Sequence, residues 1–123
     1  MAVIPPTIEP DLTLEPTVNA VVVTWEQINH DDQGGAVEIP LRFADRTIQV
    51  VGDFTGSATY SLQGAFSAVG PWTTLSNTQG DPLTFSEAGE AVVPSNFPFY
   101  RVLRAAGTAG ADADVFMSAI TGR

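Results

Sequence analysis

The chain contains no cysteine and no lysine, and its 123 residues include one histidine, His30. Without thiols, a disulfide framework, a thiolate zinc site and a cysteine nucleophile are all excluded. Any Ser-His-Asp arrangement would have to run through His30, and no nucleophile-elbow pattern accompanies it. Basic residues are scarce: five, all arginine, stand against fourteen acids, for a net charge of −9. Such a surface repels phosphate, which argues against nucleic acid and anionic membranes as partners. It either keeps the chain soluble or matches a basic partner surface. No apolar run approaches the roughly 20 residues of a membrane helix. The opening MAVIPPTIEP lacks the basic and continuous apolar regions of a secretory signal, so synthesis and folding in a cytoplasm are expected.

What the chain does have is alternation. In the stretch TIQVVGDFTGSATYSLQG (47–64), Ile48, Val50, Gly52 and Phe54 share one parity, and after Thr55-Gly56 so do Ala58, Tyr60 and Leu62. Period-two patterning with β-branched and aromatic residues marks half-buried strands. The Thr-Gly break predicts a tight antiparallel hairpin at the centre of the fold. Upstream, VNAVVVTWEQI (18–28) places Val21, Val23 and Trp25 on one face. Asn29 to Gly35 reads as a turn cluster, and Ala36 to Leu41 as a short strand near an edge, because Pro40 cannot donate to a ladder. Short strands are predicted at 72–75, 82–85, 90–93, 97–105 and 113–120, with a turn at Asn77 to Asp81.

Eight or nine short strands with turn signals about every 8 to 12 residues predict an all-β antiparallel sandwich of jelly-roll or immunoglobulin-like type. Neither alternating β-α units nor an amphipathic helix is present. Size and hydrophobic content suit one domain, residues 18–123, with a core that needs no staples. It is preceded by an arm, residues 1–17, in which Pro5, Pro6, Pro10 and Pro16 are spaced among Ile4, Ile8, Leu12 and Leu14. Proline favours an extended segment there, either a frayed tail or an arm lying across a neighbouring subunit.

Chemistry has few footholds. His30-Asp31-Asp32 is a local trio in a glycine-rich turn, without the ligands from other strands that a metal needs. Asp112 and Asp114 form a D-x-D without an EF-hand or repeat around it, and serve better as charges that discourage sheet-to-sheet aggregation. Nothing sets Glu87 and Glu90 across a groove, as a glycosidase pair would require. Arg42, Arg46, Arg101 and Arg104 lie in or beside strands, where they either knit sheet edges or mark a subunit interface. Trp25 and Trp72 read as core, whereas a solvent-facing tryptophan would suit a sugar ring. The expectation is a non-enzyme with no metal and no cofactor.

Several segments together resemble a known family. They are ADRTIQVVGDF (44–54), ATYSLQG (58–64), WTTL (72–75), QGDPLTF (79–85) and FYRV (99–102), followed by a Gly-rich loop before Ala113-Asp114-Val115. Their order is similar to that in small head decoration, or cement, proteins of tailed bacteriophages. There an Asp-Arg pair leads into a V-x-V-x-G-x-F strand, followed by a strand ending Q-G-S-N-D-G, a tryptophan with leucine, Q-G with L-x-F, and a late Y-x-R. The resemblance covers Ala44 to Ile120 and leaves the arm unmatched. One departure stands out: Ala65-Phe66-Ser67-Ala68-Val69-Gly70 replaces the S-N-D-G turn with a longer, more apolar loop.

The resemblance implies an all-β module on the outer surface of a phage head that stabilises contacts between capsomers. It implies the major capsid protein as partner, a virion location, and a homodimer or homotrimer at a capsid symmetry axis. The expected contact residues are Ile4, Ile8, Leu12 and Leu14 of the arm and Phe66 and Val69 of the loop. The alternative expectation is a glycan- or receptor-binding β module on the tail or capsid surface.

Overall fold

The computed structural model describes residues 3–10, 12, 18–28, 33–56, 58–105 and 112–121. Among them are eleven strands and no helix: β1 (Val3–Ile4), β2 (Thr7–Glu9), β3 (Ala20–Ile28), β4 (Gln33–Glu38), β5 (Asp45–Gly52), β6 (Thr59–Ala65), β7 (Thr73–Thr74), β8 (Thr84–Phe85), β9 (Gly89–Val93), β10 (Phe99–Ala105) and β11 (Ala113–Ile120). They form a β-sandwich. One sheet runs β1-β4-β10-β6-β7 with β8 also on β6, and the other runs β2-β3-β11-β5-β9. All pairings are antiparallel except β1 with β4.

The period-two pattern explains the layering. In β11 every second residue from Ala113 to Ala119 is buried, and Val115 lies between Trp25 and Val50 while Met117 lies between Val23 and Ile48. Facing them from the other sheet are Val37, Tyr60, Leu62, Tyr100 and Val102. Each such aliphatic or aromatic side chain, fully removed from water, contributes roughly 1.5–3 kcal/mol. Trp25 sits in the middle and satisfies its one donor by an Nε1–H bond to the Gly35 carbonyl at 2.8 Å. Tryptophan there leaves no room for a side chain opposite. A Cβ on Gly34 would come within 2.7 Å of the Trp25 ring.

Three expectations need correction. The predicted central hairpin is not a hairpin: β5 pairs with β11 and β9 in one sheet, whereas β6 pairs with β10, β7 and β8 in the other. The segment between them arches from layer to layer. Both strands aim an apolar face at the same core, so alternation alone cannot distinguish an arch from a hairpin. The arch starts at Gly52, whose φ of 146° lies outside the ordinary range of L residues, and where a Cβ would meet the Ala113 Cα at 2.5 Å. Gln33, Gly34 and Gly35, read as part of a turn, belong to β4; of that cluster, Asn29 to Asp32 lie outside the described residues. Trp72, read as core, is only half-buried.

The proline-rich arm is extended and, where described, paired to the body. β1 adds to β4 and β2 adds to β3, so the segment passes from one sheet to the other through Pro5-Pro6. Ile4, Ile8 and Leu12 are half-buried and pack against the core of their own chain. These two short strands account for the count rising from eight or nine to eleven.

One buried charge joins the layers. Arg46 of β5 is 1 % exposed, and its guanidinium donates to the carbonyls of Phe43 (2.6 Å), Phe97 (2.6 Å), Pro40 (3.0 Å) and Ile39 (3.4 Å) and to the Tyr100 hydroxyl. The same hydroxyl accepts from the Phe97 N–H and donates to the Ser95 carbonyl, each at 3.0 Å. Arginine alone carries a fork of five donors able to reach acceptors on so many sides. Replacing it by methionine keeps apolar bulk but strands several buried acceptors, at about 1–3 kcal/mol each. Arg46→Met is therefore expected to lower stability by at least about 3 kcal/mol. Arg46→Lys should fall between it and the native chain. Urea titration reads this as a lower midpoint at unchanged slope.

Candidate interaction surface

No described group of three or more His, Asp or Glu side chains is placed to hold a metal ion. His30, Asp31 and Asp32 lie outside the described residues. Asp114 is on β11 opposite Val51, and Asp112 precedes that strand with its carbonyl accepting the Asp53 N–H at 2.8 Å. An open groove of about 310 Å³ on the outer face of the second sheet is lined by Val22, Thr47, Gln49, Glu90, Phe116 and Ser118. Glu90 is the only carboxylate in that lining and Glu87 is absent from it, so the two acids do not face each other across it.

The distinctive surface lies on the first sheet, where β6 leads into the 65–71 loop. Phe66 is 79 % and Val69 89 % exposed, the two largest exposures among the described large hydrophobic residues. The loop holding them is a closed turn. Gly70 donates its N–H to the Ser67 carbonyl at 3.1 Å, and the Ser67 hydroxyl donates to the Gly70 carbonyl at 2.8 Å. Gly70 takes φ 92°, a left-handed value that a glycine adopts without penalty, and a Cβ there would meet the Trp72 ring at 2.8 Å.

Beneath the loop is an aromatic floor. The Phe66 ring lies 5.0 Å from that of Phe97 at 47°. Phe97 can lie flat on β6 because residue 64 is glycine: a Cβ there would be 2.8 Å from the Phe97 ring. Beside it, the Arg101 guanidinium stands over the Trp72 ring, 4.6 Å from the centroid. Arg101 Nε donates to Gln63 Oε1 at 2.7 Å, and Gln63 Nε2 donates to the Thr74 hydroxyl at 3.3 Å. Strand register sets this row, since Gln63 on β6 faces Arg101 on β10 and Thr74 on β7. Partial removal from water pushes the Arg101 guanidinium below its ordinary pKa.

The six residues expected to make contacts are thus divided. Phe66 and Val69 are displayed to solvent, Ile4, Ile8 and Leu12 pack on their own core, and Leu14 lies outside the described residues. Sequence reasoning passed over Phe97, and it treated Trp72 and Arg101 separately. The signal that could have joined them is Gln63: a long amide on the outer parity of β6, opposite an outward arginine, is a ready bridge.

No family model and no curated protein matches the chain. Among solved structures, it is similar to the cupin domain of Schizosaccharomyces pombe Cnp3 at 8 % identity and TM-score 0.40, over 86 % of this chain and 55 % of that one. The chain thus spans about half the length of that structure. It is also similar to Aeromonas hydrophila PliG, a periplasmic inhibitor of g-type lysozyme, at 8 % identity and TM-score 0.41, over 98 % and 96 % of the two chains. A Bacillus endospore appendage protein, of a family of disulfide-linked pili, matches at 14 % identity and TM-score 0.39, over 95 % and 91 %. Likeness of this degree carries nothing about ligand or partner.

The arch beside Gly52 offers a titration test. Asp53 Oδ1 accepts the Thr55 hydroxyl at 2.5 Å and the Thr55 N–H at 2.9 Å, and these bonds, the hydroxyl first, hold its carboxyl below the usual aspartate value. Because the folded value is depressed, the bonds stabilise the turn above the ordinary carboxylate range, and the effect fades as pH falls through the folded value. In an NMR pH titration, Thr55→Ala should raise the Asp53 pKa only part of the way, since the backbone bond remains. An unchanged midpoint would show that the hydroxyl has no part in it.

Proposed function

We propose that this chain is a bacteriophage head decoration subunit, a non-enzymatic cement protein that binds the outer surface of an assembled capsid and stabilises contacts between capsomers. The ordered motifs between Ala44 and Ile120 support the reading. The observation that carries it is the hydrogen-bonded loop that offers Phe66 and Val69 to solvent at 79 % and 89 % exposure. Large apolar side chains held out by a closed turn are costly to a protein that meets only water, and they suit one that docks. A docking element already rigid loses little further entropy on binding.

The mechanism is linkage. A subunit that binds the assembled lattice and not its separated parts shifts the equilibrium toward the intact shell, by an amount that grows with its concentration over Kd. Neither a cofactor nor a reacting group is needed. Partner and stoichiometry follow from the setting: the major capsid protein, with this chain as a dimer or trimer at a symmetry axis. A glycan platform would instead need an open indole face, and here Trp25 is buried while Arg101 covers one face of Trp72.

Shells stripped of this chain and remixed with it should recover it on co-sedimentation, and cryo-EM should show it outside the capsid between capsomers. The doubly substituted Phe66→Ser, Val69→Ser chain should bind about tenfold or more weakly, the scale of losing an apolar anchor from an interface. Its unfolding midpoint should fall only slightly, because both side chains are mostly exposed and the Phe66–Phe97 ring contact is the packing that is lost. Density at a tail tip, or no copy in the particle, would overturn the proposal.

A further inference from the structure

Arg101 differs from the buried arginines of this chain. Arg46 spends its guanidinium on backbone carbonyls and the Tyr100 hydroxyl, and Arg104 reaches the Tyr60 hydroxyl at 3.2 Å. Arg101 gives only its Nε–H to a described residue, Gln63, and stacks its face on Trp72. No buried side-chain nitrogen among the described residues lacks a partner, so the terminal NH2 groups of Arg101 are reached by solvent. Its plane is therefore fixed at one edge and one face, while the terminal nitrogens of the other edge are not sealed from water. That is the edge with which arginine takes a carboxylate through two parallel hydrogen bonds.

We infer that Arg101, oriented by Trp72 and Gln63, is a carboxylate-binding anchor that receives an Asp or Glu side chain of the partner protein, with the apolar neighbour of that acid seated on Phe66 and Val69. The apolar half of the site adjoins the cationic half: Gly70, which closes the loop, stands close enough to the Trp72 ring on which Arg101 lies that a Cβ there would meet it at 2.8 Å. Charge complementarity selects the occupant. In a chain of net charge −9, an approaching acid is repelled almost everywhere, so a preorganised cation beside an apolar loop sets both where it docks and in which register. Phenylalanine, tryptophan and arginine in one patch is also the composition on which interface energy concentrates.

The inference rests on the decoration reading for the source of the acid, the capsid protein, and on geometry alone for the presence of an anchor. Two capped tripeptides test the anchor without shells: acetyl-Leu-Glu-Leu-amide and its uncharged analogue acetyl-Leu-Gln-Leu-amide, titrated into the isotope-labelled full chain. The Glu peptide should shift the Trp72 indole N–H and Arg101 Nε–H signals and bind about threefold to tenfold tighter than the Gln peptide, the range for a partly exposed charged pair. Arg101→Gln should abolish the preference, and Arg101→Lys should retain only part of it, since the charge remains without the planar fork. Equal binding of both peptides, or no response at either signal, would overturn the anchor. Remixing with stripped shells separates the two readings. Native binding weakened by Arg101→Gln supports both; native binding untouched by it removes the anchor alone. Peptide preference without shell binding keeps the anchor and removes the capsid partner.

Discussion

The buried guanidinium of Arg46 is the constraint on which the outer surface depends. It binds the carbonyls of Ile39, Pro40 and Phe43 in the crossover from β4 to β5, and that of Phe97 before β10. Two chain segments that change layer are thereby tied to one point. The Tyr100 hydroxyl, which accepts from Arg46 and bonds Ser95 and Phe97, closes the knot. Phe97 then has a fixed place, its ring lying over Gly64 and beneath Phe66. A cation inside the sandwich thus decides how a hydrophobic side chain stands outside it.

Satisfying such a cation with backbone dipoles is costly in desolvation and is stable only if every donor finds an acceptor. Here the fork is filled, and an apolar residue of the same volume would leave the carbonyls of both loops without their donor. The bulk of the stability comes instead from the two alternating faces that meet around Trp25, Ile48 and Met117.

The chain uses its few arginines in different ways because register puts them in different places. Arg104 shares the parity of Tyr100 and Val102 and points inward, whereas Arg101 falls on the opposite parity and meets Trp72 across Gln63. With no lysine present, every internal cation has a planar fork, suited to fixed geometry more than to a diffuse positive surface. The surface thus combines an acidic body, a hydrogen-bonded apolar loop and an arginine stacked on tryptophan.

Much of this was legible in the residues. Alternation located β3, β5, β6, β10 and β11 and told their buried faces apart, because a half-buried strand must repeat every second residue whatever it pairs with. Phe66 and Val69 could be picked out on another ground: the run Ala65 to Gly70 is longer and more apolar than the S-N-D-G turn of the family that the chain resembles. What alternation cannot carry is the identity of a strand's neighbour. The parting of β5 and β6 into opposite sheets, the pairing of the proline-rich segment to its own body, and the Arg101–Gln63–Trp72 row arise from contacts between residues distant in sequence. A side-chain period fixes which face turns inward, and only closure of the two layers decides what lies across from it.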